Sequence, residues 1–100
     1  MQDVAEIVRR ASEARNGEKF RRLYAGDLSD VGDDHSSADL ALCNSLAFWC
    51  GCDAGLMDQV FRSSGLMREK WERADYREST IAKAIESCSE VYSGSVAQVE

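Results

Sequence analysis

An all-α fold, a compact bundle of about five helices with no sheet, is what the sequence predicts, and three observations predict it. Apolar residues recur at three- and four-residue steps in five separate segments, glycines and capping residues part those segments, and no stretch alternates apolar and polar residues between hairpin turns. The chain has 100 residues, no proline and 44% apolar residues, enough for one core. One domain is expected over 1–93, followed by a frayed tail over 94–100.

The elements follow in order. Asp3 can cap a first helix whose Val4, Ile7, Val8 and Ala11 share one face, and Asn16-Gly17 stops it. In "GEKFRRLYAG" the buried stripe is Phe20, Leu23 and Tyr24, with Arg21 and Arg22 pointing outward and Gly26 as the C-terminal stop. "DLSDVGDDHSS" has turn chemistry and no sustained period, which predicts a loop from Asp27 to Ser37. Ser36 or Ser37 then starts a third helix, with Asp39 at capping-box spacing from Ser36. This helix, "ADLALCNSLAFWC", is apolar over most of its circumference, so it belongs at the centre of the bundle. Gly51 ends it. Asp53 caps a fourth helix that buries Leu56, Met57, Val60 and Phe61 before Gly65 terminates it. A short extra turn is expected near Arg68 to Glu72. Asp75 and Glu78 have capping-box spacing for a last helix carrying Ile81, Ala84, Ile85, Cys88, Val91 and Tyr92 on its apolar face.

The net charge of −6 taken alone argues against a nucleic-acid partner, because affinity for phosphate comes from Lys and Arg displacing counterions. The distribution says more: residues 1–26 sum to +2, 27–58 to −7, 59–83 to +2 and the remainder to −3. Positive charge is concentrated around an aromatic in "SSGLMREKWERADYRESTIAKAI", which holds five basic residues and Trp71. Met1-Gln2-Asp3 leads straight into an amphipathic pattern, and no window approaches the roughly 18 apolar residues of a membrane span. A cytoplasmic chain with no membrane partner is expected. Cys43, Cys50 and Cys88 fall at apolar-periodic positions, which predicts reduced, mostly buried thiols, Cys52 included.

Catalytic chemistry finds little support. The one histidine, His35, lies in an acidic turn beside Ser36 and Ser37, where a solvated loop histidine outweighs a general base. Asp27, Asp30, Asp33 and Asp34 lack the spacing of a calcium loop, and Cys50-Gly51-Cys52 is a poor match to paired zinc ligands, so neither a catalytic nor a metal site is expected. Nucleic-acid binding rests on Arg62, Arg68, Lys70, Trp71, Arg73, Arg77 and Lys83, since single strands are held by basic residues with an aromatic on which a base can stack. Against it stands the plainer reading in which Trp71 enters the core and Glu69, Glu72, Asp75 and Glu78 pair with their basic neighbours. On composition the plainer reading leads. An interaction module, its acidic stripe facing a basic partner, is the third class.

The series "NGEKFRRLYAGD", an acidic loop, "SSADLALCNSLAFWCGCD", "MDQVFRSSGLMREKW" and "YRESTIAKAI" closely resembles the helix-bundle domain of phage and plasmid primase-polymerases, some of them fused to a superfamily 3 helicase. The resemblance covers about residues 16–85, and its specificity lies in five blocks recurring in order. It implies an accessory domain, non-catalytic by itself, that assists primer initiation by contacting single-stranded template DNA and an initiating nucleotide such as ATP. Partners would be the catalytic primase-polymerase domain and a superfamily 3 helicase domain of the same chain, in the cytoplasm of a host bacterium carrying the phage, prophage or plasmid. No intrinsic cofactor is implied.

Carried over by position, Phe61 and Leu66 serve the core, while Arg62, Ser64, Arg68, Lys70 and Trp71 surround a contact surface. Tyr76, Arg77, Thr80 and Lys83 extend it along the last helix, with Arg73 between. Two departures from the family pattern stand out. Cys50-Gly51-Cys52 replaces a small or hydroxyl residue followed by glycines, which argues against a functional thiol pair, and "ERADYRES" lacks the glycines of a phosphate-cradling loop. Trp71 separates the readings: an accessible indole between exposed Arg68 and Lys70 supports template binding, and a buried ring with paired charges supports a spacer between primase and helicase domains.

Overall fold

The computed structural model describes residues 3–15, 17–89 and 91. Five helices are formed: α1 (Val4–Glu13), α2 (Gly17–Tyr24), α3 (His35–Trp49), α4 (Ala54–Arg62) and α5 (Ala74–Ser87). Short 3₁₀ turns stand at Ser29–Val31 and Glu69–Glu72, and the described residues contain no strand. The all-α fold is therefore as expected. The turn at Glu69–Glu72 was anticipated, whereas the one inside the acidic loop carries no periodic signal and was not.

Composition makes α3 the axis of the bundle. Ala38, Leu42, Cys43, Leu46 and Ala47 are each 0% exposed, a degree of burial that only a helix surrounded by others attains. It packs against each of the other four helices, most extensively α5. Ile7 and Ala11 of α1, Phe20 and Leu23 of α2, Met57, Val60 and Phe61 of α4, and Ile81 and Ala84 of α5 close the core around it.

Helix starts show where local signals were misread. Asp3 and Asp53 cap α1 and α4 as expected, accepting from the backbone N–H groups of Glu6 at 2.8 Å and Leu56 at 3.2 Å. The cap of α3, however, is Asp34 and not a serine: its carboxylate accepts from the Ser36 N–H at 3.1 Å and the Ser37 hydroxyl at 2.7 Å. An aspartate competes well for a cap, so the helix starts earlier, at His35, and Asp39 is released from any capping duty. Likewise α5 begins at Ala74, ahead of Asp75, and Arg73 at its cap position makes no side-chain capping bond. The α5 stripe ends at Cys88, with Val91 exposed. Tyr92 and the tail expected over 94–100 lie outside the described residues.

One backbone crossing fixes α2 against α4. The Gly65 N–H donates to the Tyr24 carbonyl at 2.7 Å, and the Tyr24 hydroxyl meets the Ser63 hydroxyl at 2.7 Å. A Cβ on Gly65 would lie 2.4 Å from the Ala25 carbonyl oxygen, so only glycine permits this approach. Gly26 faces it with φ +90°, a conformation that side chains rarely adopt.

Candidate nucleic-acid and nucleotide interface

The residues singled out in the sequence lie at the end of α4, in the turn between α4 and α5, and on α5, and the structure assigns them different work. Trp71 is 0% exposed. Its ring stacks on Phe61 with centroids 3.6 Å apart and planes 13° apart, meets Tyr76 edge-on at 6.1 Å, and donates its indole N–H to Asp58 Oδ1 at 2.8 Å. Such an indole is a core residue with its polar handle satisfied. A base has no access to its face, so the stacking role expected of Trp71 is not available in this fold. Ser64 is also buried; its hydroxyl donates to the Phe61 carbonyl at 2.7 Å and accepts from the Leu66 N–H at 3.2 Å, which closes the turn after α4.

The arginines are engaged. Arg62 reaches Asp58 at 3.0 Å and Glu72 at 3.2 Å, and the Asp58 hydrogen bond chiefly holds its guanidinium above the ordinary arginine range. Arg68 lies fork to fork on Asp39, at 2.9 and 2.8 Å, and also donates to the Leu66 carbonyl at 3.1 Å. Asp39 is 0% exposed and accepts a third bond, from the Tyr76 hydroxyl. Hydrogen bonding to Asp39 raises the Arg68 pKa. Burial first, and the bond to Asp39 second, push the Tyr76 phenol up. Arg73 pairs with Asp75 at 3.2 Å, and Arg77 donates to the carbonyls of Trp71 and Glu72 at 3.2 and 3.3 Å, tying the 3₁₀ turn to α5.

Tyr76, Thr80 and Lys83, by contrast, come together. With Ser36, Ser37 and Leu40 they line a groove of about 250 Å³ between the first turn of α3 and α5, Thr80 itself being buried. Thr80 is anchored through its hydroxyl to the Tyr76 carbonyl at 2.9 Å, Lys83 is exposed, and the Lys70 ammonium stands 4.4 Å from the centre of the Tyr76 ring. The Ser36 hydroxyl, the Lys83 ammonium and the positive end of the α3 dipole border this groove and favour an anion there. Asp34 opposes them: it caps α3, and its carboxyl is held below the ordinary aspartate range by the Ser37 hydroxyl first, so its negative charge persists beside the groove.

The sequence marked Tyr76, Thr80 and Lys83 but missed Ser36 and Ser37 as lining groups. The serine pair served there only as a helix start, and no local pattern reveals that α5 lies across that start. A larger cleft, about 360 Å³, opens among α1, α2 and α3 and is lined by Ala11, Lys19, Phe20, Asn44, Ser45, Phe48 and Trp49. None of the residues implied by the resemblance reaches it, so the smaller groove is the candidate interface. Among the described residues no group of three or more His, Cys, Asp or Glu side chains converges as a metal site, and no helix is long and apolar enough to cross a membrane.

Comparison with known proteins agrees with this region of the chain. Residues 35–94, from the start of α3 onward, match the family described as the NrS-1 polymerase HBD domain. The DNA primase-polymerase of Nitratiruptor phage NrS-1 is 48% identical over 70 residues, which take in 66% of this chain and 10% of that protein. The chain thus spans about a tenth of the length of this relative. More than half of the residues matching in one block, with the bundle that the helical periods require, settles the assignment: the chain belongs to the NrS-1 polymerase HBD family, the helix-bundle domain of primase-polymerases.

Proposed function

We propose that this bundle is an accessory domain of a phage DNA primase-polymerase that assists primer initiation by holding a phosphate of the single-stranded template, or of an initiating nucleotide such as ATP, in the groove between α3 and α5. The observation that carries this reading is the convergence of Tyr76, Thr80 and Lys83 with the hydroxyls of Ser36 and Ser37, within the stretch matched to the family. Lys83 supplies the positive charge and the Ser36 hydroxyl a short donor, while the hydroxyls of Ser37 and Thr80, committed to Asp34 and to the Tyr76 carbonyl, only line the groove. Tyr76 sets the floor, its hydroxyl fixed by Asp39 and its ring beneath Lys70. Lys70 continues the positive edge along which a strand would run. Catalysis belongs to a separate domain, and a superfamily 3 helicase domain is the further partner we propose within the same protein.

Affinity in isolation is expected to be weak. The net charge is −6, and the Asp34 carboxylate is bonded to Ser37, one of the groove's lining residues. The missing phosphate contacts would come from the catalytic domain, whose tethering raises the effective concentration of the strand.

A second reading has its own observation. The full burial of Trp71 and the pairing of Arg62, Arg68 and Arg73 are what a spacer between primase and helicase domains requires. Fluorescence anisotropy with a labelled single-stranded oligonucleotide at low salt separates the two. Lys83→Ala should weaken binding about threefold or more, one surface charge at close range. Asp34→Asn keeps a good helix cap while removing the opposing charge, and should tighten binding by a similar factor. No measurable binding by any of the three would assign the domain to the spacer, and equal affinity for wild type and both variants would place the contact outside the groove.

A further inference from the structure

Asp39 does not line the groove, yet it is carried by one of its walls and bonded to the other. It follows Ser36 and Ser37 near the start of α3 and is wholly buried. Tyr76, in the first turn of α5, lines the groove and donates its hydroxyl to Asp39 Oδ2. That bond joins the two helix starts that border the groove.

The start of α5 is weakly secured by its own residues. Arg73 at the cap position makes no side-chain capping bond, and the Asp75 carboxylate is spent on Arg73 at 3.2 Å and on the Tyr76 N–H at 2.9 Å. Arg77 ties this end to the 3₁₀ turn and not to α3. Orphan N–H groups at an uncapped start leave the first turn free to fray, so a bond from Tyr76 into the core holds it in place. The charge of Asp39 is cancelled where it sits. Arg68 lies on both of its oxygens, at 2.9 and 2.8 Å, so the buried carboxylate adds no net negative charge beside the groove.

We propose that Asp39 is a positioning residue for the groove: through the Tyr76 hydroxyl it fixes the α5 wall against the α3 wall, while Arg68 cancels its charge and keeps the groove open to a phosphate. This rests on the groove being the phosphate site of the domain. The consequence is that affinity and stability part company. Tyr76→Phe removes only the hydroxyl, leaving the Asp39–Arg68 pair in the core and the ring beside Lys70, so the fold is kept while the two walls are untied. Asp39→Asn does the reverse. Its amide oxygen still accepts from the Tyr76 hydroxyl, but Arg68 loses its counter-charge, which weakens the fold and leaves a net positive charge near the groove.

The test measures anisotropy of a labelled single-stranded oligonucleotide at low salt, beside urea unfolding, for wild type, Tyr76→Phe, Asp39→Asn and Lys83→Ala. Tyr76→Phe should bind about fivefold more weakly, the worth of one hydrogen bond, with a urea midpoint only slightly lowered. Asp39→Asn should bind about twofold more tightly although its urea midpoint falls clearly. A purely structural Asp39 would instead lose affinity in step with stability, and that result would overturn the positioning role. So would wild-type affinity in Tyr76→Phe while Lys83→Ala weakens binding, an outcome that leaves the groove as the phosphate site. If Asp39→Asn does not fold, Tyr76→Phe decides alone. No binding by wild type, or no effect of Lys83→Ala, would remove the groove reading and this inference with it.

Discussion

Asp39 is a carboxylate with no exposed surface, held on both oxygens by Arg68 and on one by the Tyr76 hydroxyl. Taking a charge out of water costs several kcal/mol, and only a full set of partners returns it. Asp39→Asn leaves Arg68 facing a neutral amide. Because the Arg68 side chain keeps 26% of its surface in solvent, water relieves part of the loss, and we expect a cost of about 3 kcal/mol, read as a lower urea midpoint. Asp39→Leu combined with Arg68→Met should recover most of that loss. A pair contributing nothing would leave Asp39→Asn at wild-type stability. The buried thiols make a second residue-level prediction. Cys43 and Cys50 ionise near 12 in the fold and at the ordinary 9.0 when unfolded, so above pH 9 the unfolded chain loses protons first. Their contribution is complete below pH 9 and is lost as the pH rises toward 12, about 1 kcal/mol for each by pH 10. Urea midpoints in dithiothreitol at pH 8 and pH 10 check this, and the pH effect should shrink in Cys43→Ala.

At the scale of elements, the α2–α4 crossing is the most demanding contact. Gly65→Ala would drive a methyl group into the Ala25 carbonyl and break the 2.7 Å bond to Tyr24, for an expected loss of about 2 to 3 kcal/mol. A thermal melt about 10 °C lower is the readout, and an unchanged melt would mean the helices are free to separate there. The helices themselves were legible because their apolar residues repeat along each segment, as Ile7 with Ala11 and Phe20 with Leu23. Their exact starts were not. Several residue types can cap, and which one succeeds at α3 depends on Asp34 reaching both Ser36 and Ser37. Asp39 was misread for a related reason: local spacing suggested a capping carboxylate, while its partner lies 29 residues later in the chain. Half of the candidate groove was reached through the family resemblance, which marked Tyr76, Thr80 and Lys83 on one helix, whereas Ser36 and Ser37 arrive from another.

Over the whole molecule, the charge stripes fold onto one another. Arg62 and Arg68 of the basic stripe pair with Asp58 and Asp39 of the acidic one, and the same Asp58 receives the Trp71 indole N–H. Positive charge gathers around Trp71 largely to satisfy acidic helices while the ring is buried. That leaves few cations for a nucleic acid, so binding by this domain should depend weakly on salt, with a log–log slope of about −1 to −2. A steeper slope would require the arginines to abandon their carboxylates. The central claim is that the groove between α3 and α5, not the Trp71 ring, meets the ligand. It is tested most directly by titrating the isotope-labelled domain with a short single-stranded oligonucleotide, with and without ATP, and following amide and indole resonances at two salt concentrations. Salt-sensitive shifts at Ser36, Ser37, Thr80 and Lys83, with the Trp71 indole unmoved, are the predicted result. Shifts absent there, or scattered over the acidic loop, would contradict it.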